Sequence, residues 1–255
     1  MGAGHSHPLY RVDDSPVHRV PAEVKIVCLV LMVLAVVATP RDMFWPYAIY
    51  AVLILAVWRL AHIPLRWVLP RMLIEAPFVV LAVLLPFAEG GRQLSIAAIQ
   101  LSVTGLWAAW GIVVKGTLGV AASLTFAATT SARELPVALS RLGMPALVTS
   151  MLVLMIRYID VLTAEAQRMR MARLSRGDSP RMLHQAGAVA RSVGALFLRS
   201  YERGERVYLA MLSRGFDGRV PELAAGPDRA RAVDWVALSP AMLAIAVSIS
   251  AWALR

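Results

Sequence analysis

The chain has 255 residues, of which 58% are hydrophobic and 16% are charged, and its formal net charge is +10. Soluble globular proteins are less apolar and carry about 25% charged residues, whereas several apolar runs of this chain approach the ~20 residues that cross a bilayer. The composition therefore predicts an all-α polytopic membrane protein. It argues against nucleic-acid binding, because arginine beside membrane segments sets topology and no basic patch with interleaved aromatic residues is present.

The content of cysteine and histidine limits the possible metal sites. The single cysteine, Cys28, allows neither a disulfide framework nor a cysteine-based metal site. His5 and His7 stand in a polar segment without a third ligand, so we expect both to be solvated. Residues 1–23 contain acids and prolines rather than a secretory signal, and the first apolar segment is predicted to be retained as an anchor.

Five apolar segments are predicted to span the membrane. They are 24–39, 44–60, 72–88, 94–130 and 233–254. The connection between the second and third segments contains Arg59, His62, Arg66 and Arg71 and no acid, which places it in the cytoplasm. The amino terminus is then cytoplasmic as well.

Polar side chains within these segments give two local expectations. Aromatic residues at the start of the second segment (Trp45, Tyr47 and Tyr50) are expected at the membrane–water boundary. Glu75 in the third segment is expected to pair with Arg71 one turn earlier.

The fourth segment allows two interpretations, because glycines and Lys115 interrupt 37 largely apolar residues. A single tilted span is favoured, since a lysine at mid-bilayer is costly unless it reaches the interface. The alternative is two spans with a hairpin at Lys115 and Gly116. That alternative makes the apolar start of the helix 146–176 a further span and raises the total from five to seven.

Residues 131–231 form a predicted coupling module between a membrane domain, 1–130, and a last span, 232–255. Helices are predicted at 134–142, 146–176 and 181–214, followed by a polar connector at 217–231. The stretch 164–231 has 13 arginines and seven acids. The module is therefore cytoplasmic under either span count.

The two long helices of this module end on the same tripeptide. The first end is Ser175-Arg176-Gly177 and the second is Ser213-Arg214-Gly215. Glycine just past a helix and arginine in its last turn are ordinary capping residues. Exposed guanidinium groups on two helix ends can equally make bidentate contacts in two equivalent grooves of a dimeric partner. Capping and docking both remain open on the residues alone.

One face of the second long helix has small residues four positions apart. Ala186, Ala190 and Gly194 would let another helix backbone approach closely. We expect them to pack in a crossed pair of helices.

Several motifs resemble one family of transport proteins. They are Leu135-Pro136 with Arg141-Leu142-Gly143-Met144-Pro145, Ile156-Arg157-Tyr158, the two Ser-Arg-Gly ends, and Ser15 to Pro21 followed by Lys25. Over nearly the whole chain the sequence is similar to the transmembrane T component of energy-coupling-factor (ECF) transporters, in the cobalt/nickel branch of CbiQ type. The family's usual Ala-Arg-Gly has serine first in both copies here.

The resemblance implies about five membrane spans and three cytoplasmic coupling helices in a bacterial plasma membrane. It implies docking of two ATP-binding ATPase subunits at Arg176 and Arg214, and a separate membrane subunit that binds the metal ion, with cobalt favoured over nickel. A small accessory membrane subunit is a further implied partner. The chain would need no cofactor, with ATP held by the partners, and the sequence has no Gly-x-x-x-x-Gly-Lys phosphate loop.

Two alternatives have less support in the sequence. An intramembrane enzyme needs polar residues that converge at membrane depth, and the histidines all fall in predicted tails, loops or the coupling module. A self-sufficient secondary transporter needs a charged or broken-helix site near the midplane, for which only Lys115 is a candidate.

Overall fold

The computed structural model of the chain describes residues 9–88, 93–96, 99–177, 186–218 and 232–254. These residues divide into two compact units. One combines residues 6–138 with 228–255, and the other is formed by residues 139–227. The regular structure in these residues is helical except for one antiparallel pair of four-residue strands.

The first unit contains most of the apolar helices. Its α-helices are α1 (Pro16–Arg19), α2 (Ala22–Ala38), α3 (Trp45–Leu60), α4 (Leu65–Met72), α5 (Ala76–Ala88), α6 (Val103–Thr129), α7 (Leu135–Arg141) and α10 (Ser239–Ala253), and α7 extends to the boundary of the unit. Its strands are β1 (Gln93–Ile96) and β2 (Ile99–Ser102). Short 3-10 helices lie at Leu73–Glu75, Ala132–Glu134 and Ala232–Leu238. The second unit contains the long helices α8 (Ala146–Ser175) and α9 (Ala186–Leu212).

Local capping explains where several helices begin. The hydroxyl of Ser15 accepts a hydrogen bond from the backbone N–H of His18 at the start of α1. Ser102 does the same for Gly105 at the start of α6. Pro46 lies in the first turn of α3, where a missing N–H costs nothing.

The core of the first unit lies where α2, α3, α6 and α10 pack together. The Tyr50 hydroxyl is 2.7 Å from Thr39 Oγ1 at the end of α2 and donates to the carbonyl of Ala244 in α10. Tyr47 donates to the carbonyls of Thr39 and Pro40. Both tyrosines are buried and tie helices together, and their expected depth at the membrane–water boundary stays a prediction. Trp45 is exposed.

Glu75 does not pair with Arg71 as expected. Its carboxylate oxygens lie 3.1 and 3.0 Å from the hydroxyl of Thr117 in α6, which donates to them. The Arg71 guanidinium turns back, donates to the carbonyl of Trp67 and lies 4.0 Å from that indole ring. Glu75 therefore accepts hydrogen bonds from Thr117 on another helix instead of pairing with Arg71 one turn away.

The chain from 94 to 130 contains one helix. The two strands occupy Gln93–Ile96 and Ile99–Ser102, and α6 then continues through Lys115 without interruption. The Lys115 ammonium reaches the end of α2 and donates to the carbonyl of Val37 at 2.7 Å. The predicted single span is confirmed in this respect, and the alternative hairpin at Lys115 and Gly116 is wrong.

Among the residues that the structure describes, four helical stretches are long and apolar enough to cross a membrane. They are Leu65–Phe87, Val103–Thr129, Ala146–Ser175 and Asp234–Ala253, and α3 is apolar but shorter. The third predicted span thus begins seven residues earlier than expected, because α4 continues into α5. The prediction of an all-α polytopic membrane protein is confirmed.

Some predictions fall outside the described residues. These are the histidines His5 and His7, the turn at 178–180, the first residues of the predicted helix 181–214, and most of the connector 217–231.

Candidate functional site

The candidate site consists of the carboxyl ends of α8 and α9, which we call the arginine tips. At the first tip, the N–H of Gly177 donates to the carbonyl of Leu174 at 3.1 Å. Gly177 has a φ of +82°, in the left-handed region that favours glycine. The Ser175 hydroxyl donates to the carbonyl of Met171 at 3.0 Å. Arg176 is thereby fixed as the last residue before the chain turns away.

The second arginine tip repeats this geometry. Gly215 has a φ of +80° and donates to the carbonyl of Leu212, and Phe216 donates to the carbonyl of Met211. These two bonds define a Schellman motif, which satisfies carbonyls that the helix end leaves free. The matching positions of Arg176 and Arg214 follow from this shared local geometry.

The guanidinium groups at both tips face solvent. Arg176 and Arg214 are exposed, and within the described parts of the chain neither side chain forms an ion pair. The main-chain bonds at the two ends do not need an arginine side chain. The tips can therefore offer bidentate donors to carboxylates or carbonyls of another molecule.

Two contacts fix the relative direction of α8 and α9. The Ser150 hydroxyl near the start of α8 donates to the carbonyl of Gly218, just after α9, at 3.1 Å. Farther along α8, Glu165 accepts a hydrogen bond from Arg199 in the middle of α9 at 2.8 Å. Residues farther along α8 thus contact residues nearer the start of α9. The helices run in opposite senses.

The arginine tips therefore lie at opposite ends of the helix pair. From Glu165 to Arg176 the axial distance is about 16 Å, and from Arg199 to Arg214 it is about 22 Å, at 1.5 Å per residue. The direct contact between α8 and α9 is short relative to their lengths, as in crossed helices. Such an arrangement can reach two separate grooves at once.

The Glu165 carboxylate is the ionic link between the two helices. It accepts hydrogen bonds from Arg168 at 2.6 Å and from Arg199 at 2.8 Å. The sequence offered one signal for this role: three arginines follow Glu165 in α8, and no further acid stands among them. The partner on α9 could not be identified by spacing.

The predicted small-residue face of α9 is open to solvent within this chain. Ala190 and Gly194 are exposed, and a methyl group added at Gly194 would meet nothing within 4 Å. Ala186 begins the helix, and its side chain is outside the described set. The less exposed residues of α9 lie along a different face of the helix. They are Ala188, Ser192, Ala195, Leu196, Ser200, Val207 and Met211.

A third helix end was not singled out as a site. Gly143 follows α7 with a φ of +92°, and Met144 donates to the carbonyl of Leu139 at 3.1 Å. Arg141 therefore lies one residue farther from its glycine than the arginines of the two tips.

Across the part of the chain that the structure describes, no group of three or more His, Cys, Asp or Glu side chains could hold a metal ion.

Comparisons with known proteins agree on one family. Residues 13–223 match CbiQ, the family described as cobalt transport protein. The chain is 30% identical to the energy-coupling factor transporter transmembrane protein EcfT of Thermanaerovibrio acidaminovorans over 250 residues, which cover 91% of each protein. It is 29% identical to a putative fused cobalt transport protein CbiMQ of Methanocorpusculum labreanum over 80% of this chain and 35% of that protein. An uncharacterized protein of Methanocaldococcus jannaschii is 27% identical over 80% of this chain and 72% of its own length.

Proposed function

This chain belongs to the CbiQ family of cobalt transport proteins, and from that premise we propose that it is the transmembrane coupling subunit of an ATP-driven ECF-type transporter. In this proposal its cargo is cobalt, with nickel as the less favoured ion. The chain itself binds no nucleotide and catalyses no reaction. Two ATP-binding subunits hydrolyse ATP, and a separate membrane subunit binds the metal ion.

The arginine tips are the observation that carries this proposal. Arg176 and Arg214 are exposed on two equivalent helix ends, and a dimer of ATP-binding subunits offers two equivalent grooves. Bidentate contacts from guanidinium groups are both strong and directional. We assign docking to Ser175, Arg176 and Gly177 on α8 and to Ser213, Arg214 and Gly215 on α9.

The helix pair would transmit the movement of the ATP-binding subunits. When ATP closes these subunits, the distance between their grooves changes, and the two tips follow it. Because Glu165 joins α8 to α9, the displacement of one tip is passed to the other helix. The face with Ala186, Ala190 and Gly194 then remains free to contact the metal-binding membrane subunit. A small accessory membrane subunit is compatible with this assembly.

The proposed topology follows the distribution of charge. Residues 131–231 form the cytoplasmic coupling module, while 1–130 and 232–255 form the membrane domain of a bacterial plasma membrane. The amino terminus is then cytoplasmic, with five spans outside the coupling module.

Charge reversal at the tips tests the docking. In Arg176→Glu/Arg214→Glu, each tip repels the carboxylates that it would contact, so the ATP-binding subunits are expected to be lost from the purified complex. Each single variant keeps one tip and should weaken the assembly only in part. The matched control is Arg170→Glu/Arg203→Glu, which places the same charges on exposed positions of the same helices.

Two results would contradict the proposal. One is unchanged co-purification of the ATP-binding subunits with the double tip variant. The other is cobalt or nickel uptake by vesicles that contain this chain alone, since that is the behaviour of a self-sufficient transporter.

A further inference from the structure

The first unit contains a half-enclosed cavity of about 320 Å³ at the end where α2 begins and α6 ends. Helices α1, α2, α3 and α6 and the start of α10 form its wall. Apart from Lys25, three hydroxyl groups and the Cys28 thiol, its lining side chains are apolar. Its volume lies in the range of small-molecule sites in proteins.

Two of the three hydroxyl groups in this wall already form hydrogen bonds within the protein. Thr125 accepts a hydrogen bond from Trp58 Nε1 and donates to the carbonyl of Ala121. Thr129 donates to the carbonyl of Thr125. Water held in the cavity would therefore find few free partners, and a stable buried water needs two to four. The interior favours an apolar occupant.

Lys25 provides a charge in the wall of the cavity. It is 8% exposed, and its ammonium donates to the carbonyls of His18 and Thr129. The ammonium has three N–H groups, so it can donate to one further acceptor. Glu134 is near enough to act on Lys25 electrostatically, but no carboxylate in the described ranges lies within ion-pair distance of it. A buried cation without a counter-ion is costly.

The cation and the apolar wall have a defined order along the helix axis. On α2, Lys25 lies in the first turn, Cys28 lies one turn deeper and Met32 two turns deeper. The distance from Lys25 to Met32 is roughly 10 Å at 1.5 Å per residue. On α6 the order runs from Thr129 at the helix end to Ala122 two turns deeper. The cavity thus has a charged end and an apolar end.

We propose that this cavity binds one acyl chain of an anionic membrane phospholipid, with the phosphate of its head group at Lys25. The phosphate supplies the missing negative charge, and the acyl chain fills space that water cannot. The site lies in the first unit and does not depend on the docking of ATP-binding subunits.

Cys28 is the only cysteine of the chain and lines the cavity, so it reports on occupancy directly. The full chain, purified in neutral detergent, is treated with a thiol-alkylating maleimide in the presence of phosphatidylglycerol or of diacylglycerol, which has the same two acyl chains and no phosphate. Phosphatidylglycerol is expected to slow alkylation at about tenfold lower concentration than diacylglycerol, the ratio that one charge-assisted hydrogen bond supplies. Native mass spectrometry should show one phosphatidylglycerol bound per chain.

Variants separate the contributions of the head group and the chain. Ala122→Phe fills the cavity and should abolish both lipid retention and protection of Cys28. Lys25→Gln should retain the lipid but lose the preference for phosphatidylglycerol. Lys115→Gln removes the chain's other lysine from the opposite end of α2 and should leave the preference unchanged.

Four outcomes would overturn the proposal. These are equal protection by phosphatidylglycerol and diacylglycerol in the unaltered chain, protection by a free fatty acid or inorganic phosphate but not by phosphatidylglycerol, retention of the lipid by a folded Ala122→Phe variant, and loss of the preference in Lys115→Gln. The experiment on the unaltered chain decides the matter even where a variant fails to fold.

Discussion

Glu165 of α8 and Arg199 of α9 are 34 positions apart in the chain, yet their side chains meet at 2.8 Å. The same carboxylate holds Arg168 on its own helix at 2.6 Å. Arg199 and Arg168 are both well exposed, whereas the Glu165 side chain is mostly covered. One carboxylate thus orders two guanidinium groups at the place where the long helices meet.

Removing the charge of Glu165 is expected to separate docking from transport. Glu165→Gln keeps the shape of the side chain but weakens both charge-assisted hydrogen bonds. Because the arginine tips are untouched, co-purification of the ATP-binding subunits should persist. Cobalt uptake by the complete transporter should fall, since the helices move less as one body. Arg168→Gln is the control, because it leaves the bond between helices in place. Equal uptake by Glu165→Gln and the unaltered protein would show that this contact does not transmit movement.

The glycines of the arginine tips should be sensitive to substitution for backbone reasons alone. Gly177 and Gly215 have φ values of +82° and +80°, and a methyl group at either position would meet nothing within 4 Å. Alanine in this conformation costs roughly 1–2 kcal/mol, and asparagine costs less. Binding of the ATP-binding subunits should therefore weaken from glycine to asparagine to alanine at each site.

Gly204 in the middle of α9 is the control for this series. It has open space around it and no left-handed backbone, so Gly204→Ala should leave binding unchanged. Titration of detergent-solubilised complexes measures the order of affinities. If alanine and asparagine were equivalent at Gly177 and Gly215, the left-handed geometry would not position the arginines.

The helix ends were predictable because their chemistry is local. The expected ends at residues 176 and 214 lie within two residues of the observed ends of α8 and α9, and glycine marks both. The course of α6 through Lys115 was predictable from the cost of a lysine at mid-bilayer. In the structure, the Lys115 ammonium is stabilised by the hydrogen bond that it donates to the end of α2.

Contacts between distant elements could not be predicted in the same way. The expected pair of Glu75 and Arg71 follows a rule for isolated helices, but Thr117 lies 42 positions away and donates to Glu75 instead. The register that brings Arg199 to Glu165 likewise depends on how two helices cross. The packing role of Ala186, Ala190 and Gly194 stays a prediction, because its test requires the partner.

Two glycines of α6 offer a matched test of helix packing. A methyl group at Gly105 would lie 2.7 Å from the carbonyl oxygen of Leu85 and 2.8 Å from Cα of Pro86, both backbone atoms of α5. At Gly119 it would meet nothing within 4 Å. Gly105→Ala should therefore destabilise the first unit by about 1–3 kcal/mol, the usual cost of overpacking. Gly119→Ala should be neutral or slightly stabilising because alanine favours helix.

Thermal unfolding of the two variants in the same detergent measures this difference. Equal melting temperatures for Gly105→Ala and Gly119→Ala would mean that α5 and α6 are not in close backbone contact at Leu85.

The amino-terminal segment is expected to lose stability in acid because of His18. Its imidazole Nδ1 is 2.7 Å from the Ser15 hydroxyl, and its Nε2 is 3.1 Å from the carbonyl of Arg11. A neutral ring satisfies both contacts by donating from Nε2 and accepting at Nδ1. Burial, followed by the positive charge of Lys25, lowers the pKa of His18 below its ordinary value.

The sign of the pH dependence follows from this lowered pKa. The folded protein binds the proton less readily than the unfolded chain does, so the free energy of unfolding is highest above the ordinary histidine pKa of about 6.5. It should fall as the pH drops below that value and level off below the folded pKa. The effect is measured from the melting temperatures of the unaltered chain and of His18→Gln between about pH 5 and pH 8. The difference between the two proteins isolates His18, because the contributions of all other titrating groups are the same in both. The two curves should diverge in acid, with the unaltered chain losing more stability. Parallel curves would show that His18 accepts a proton in the folded protein as easily as in the unfolded chain.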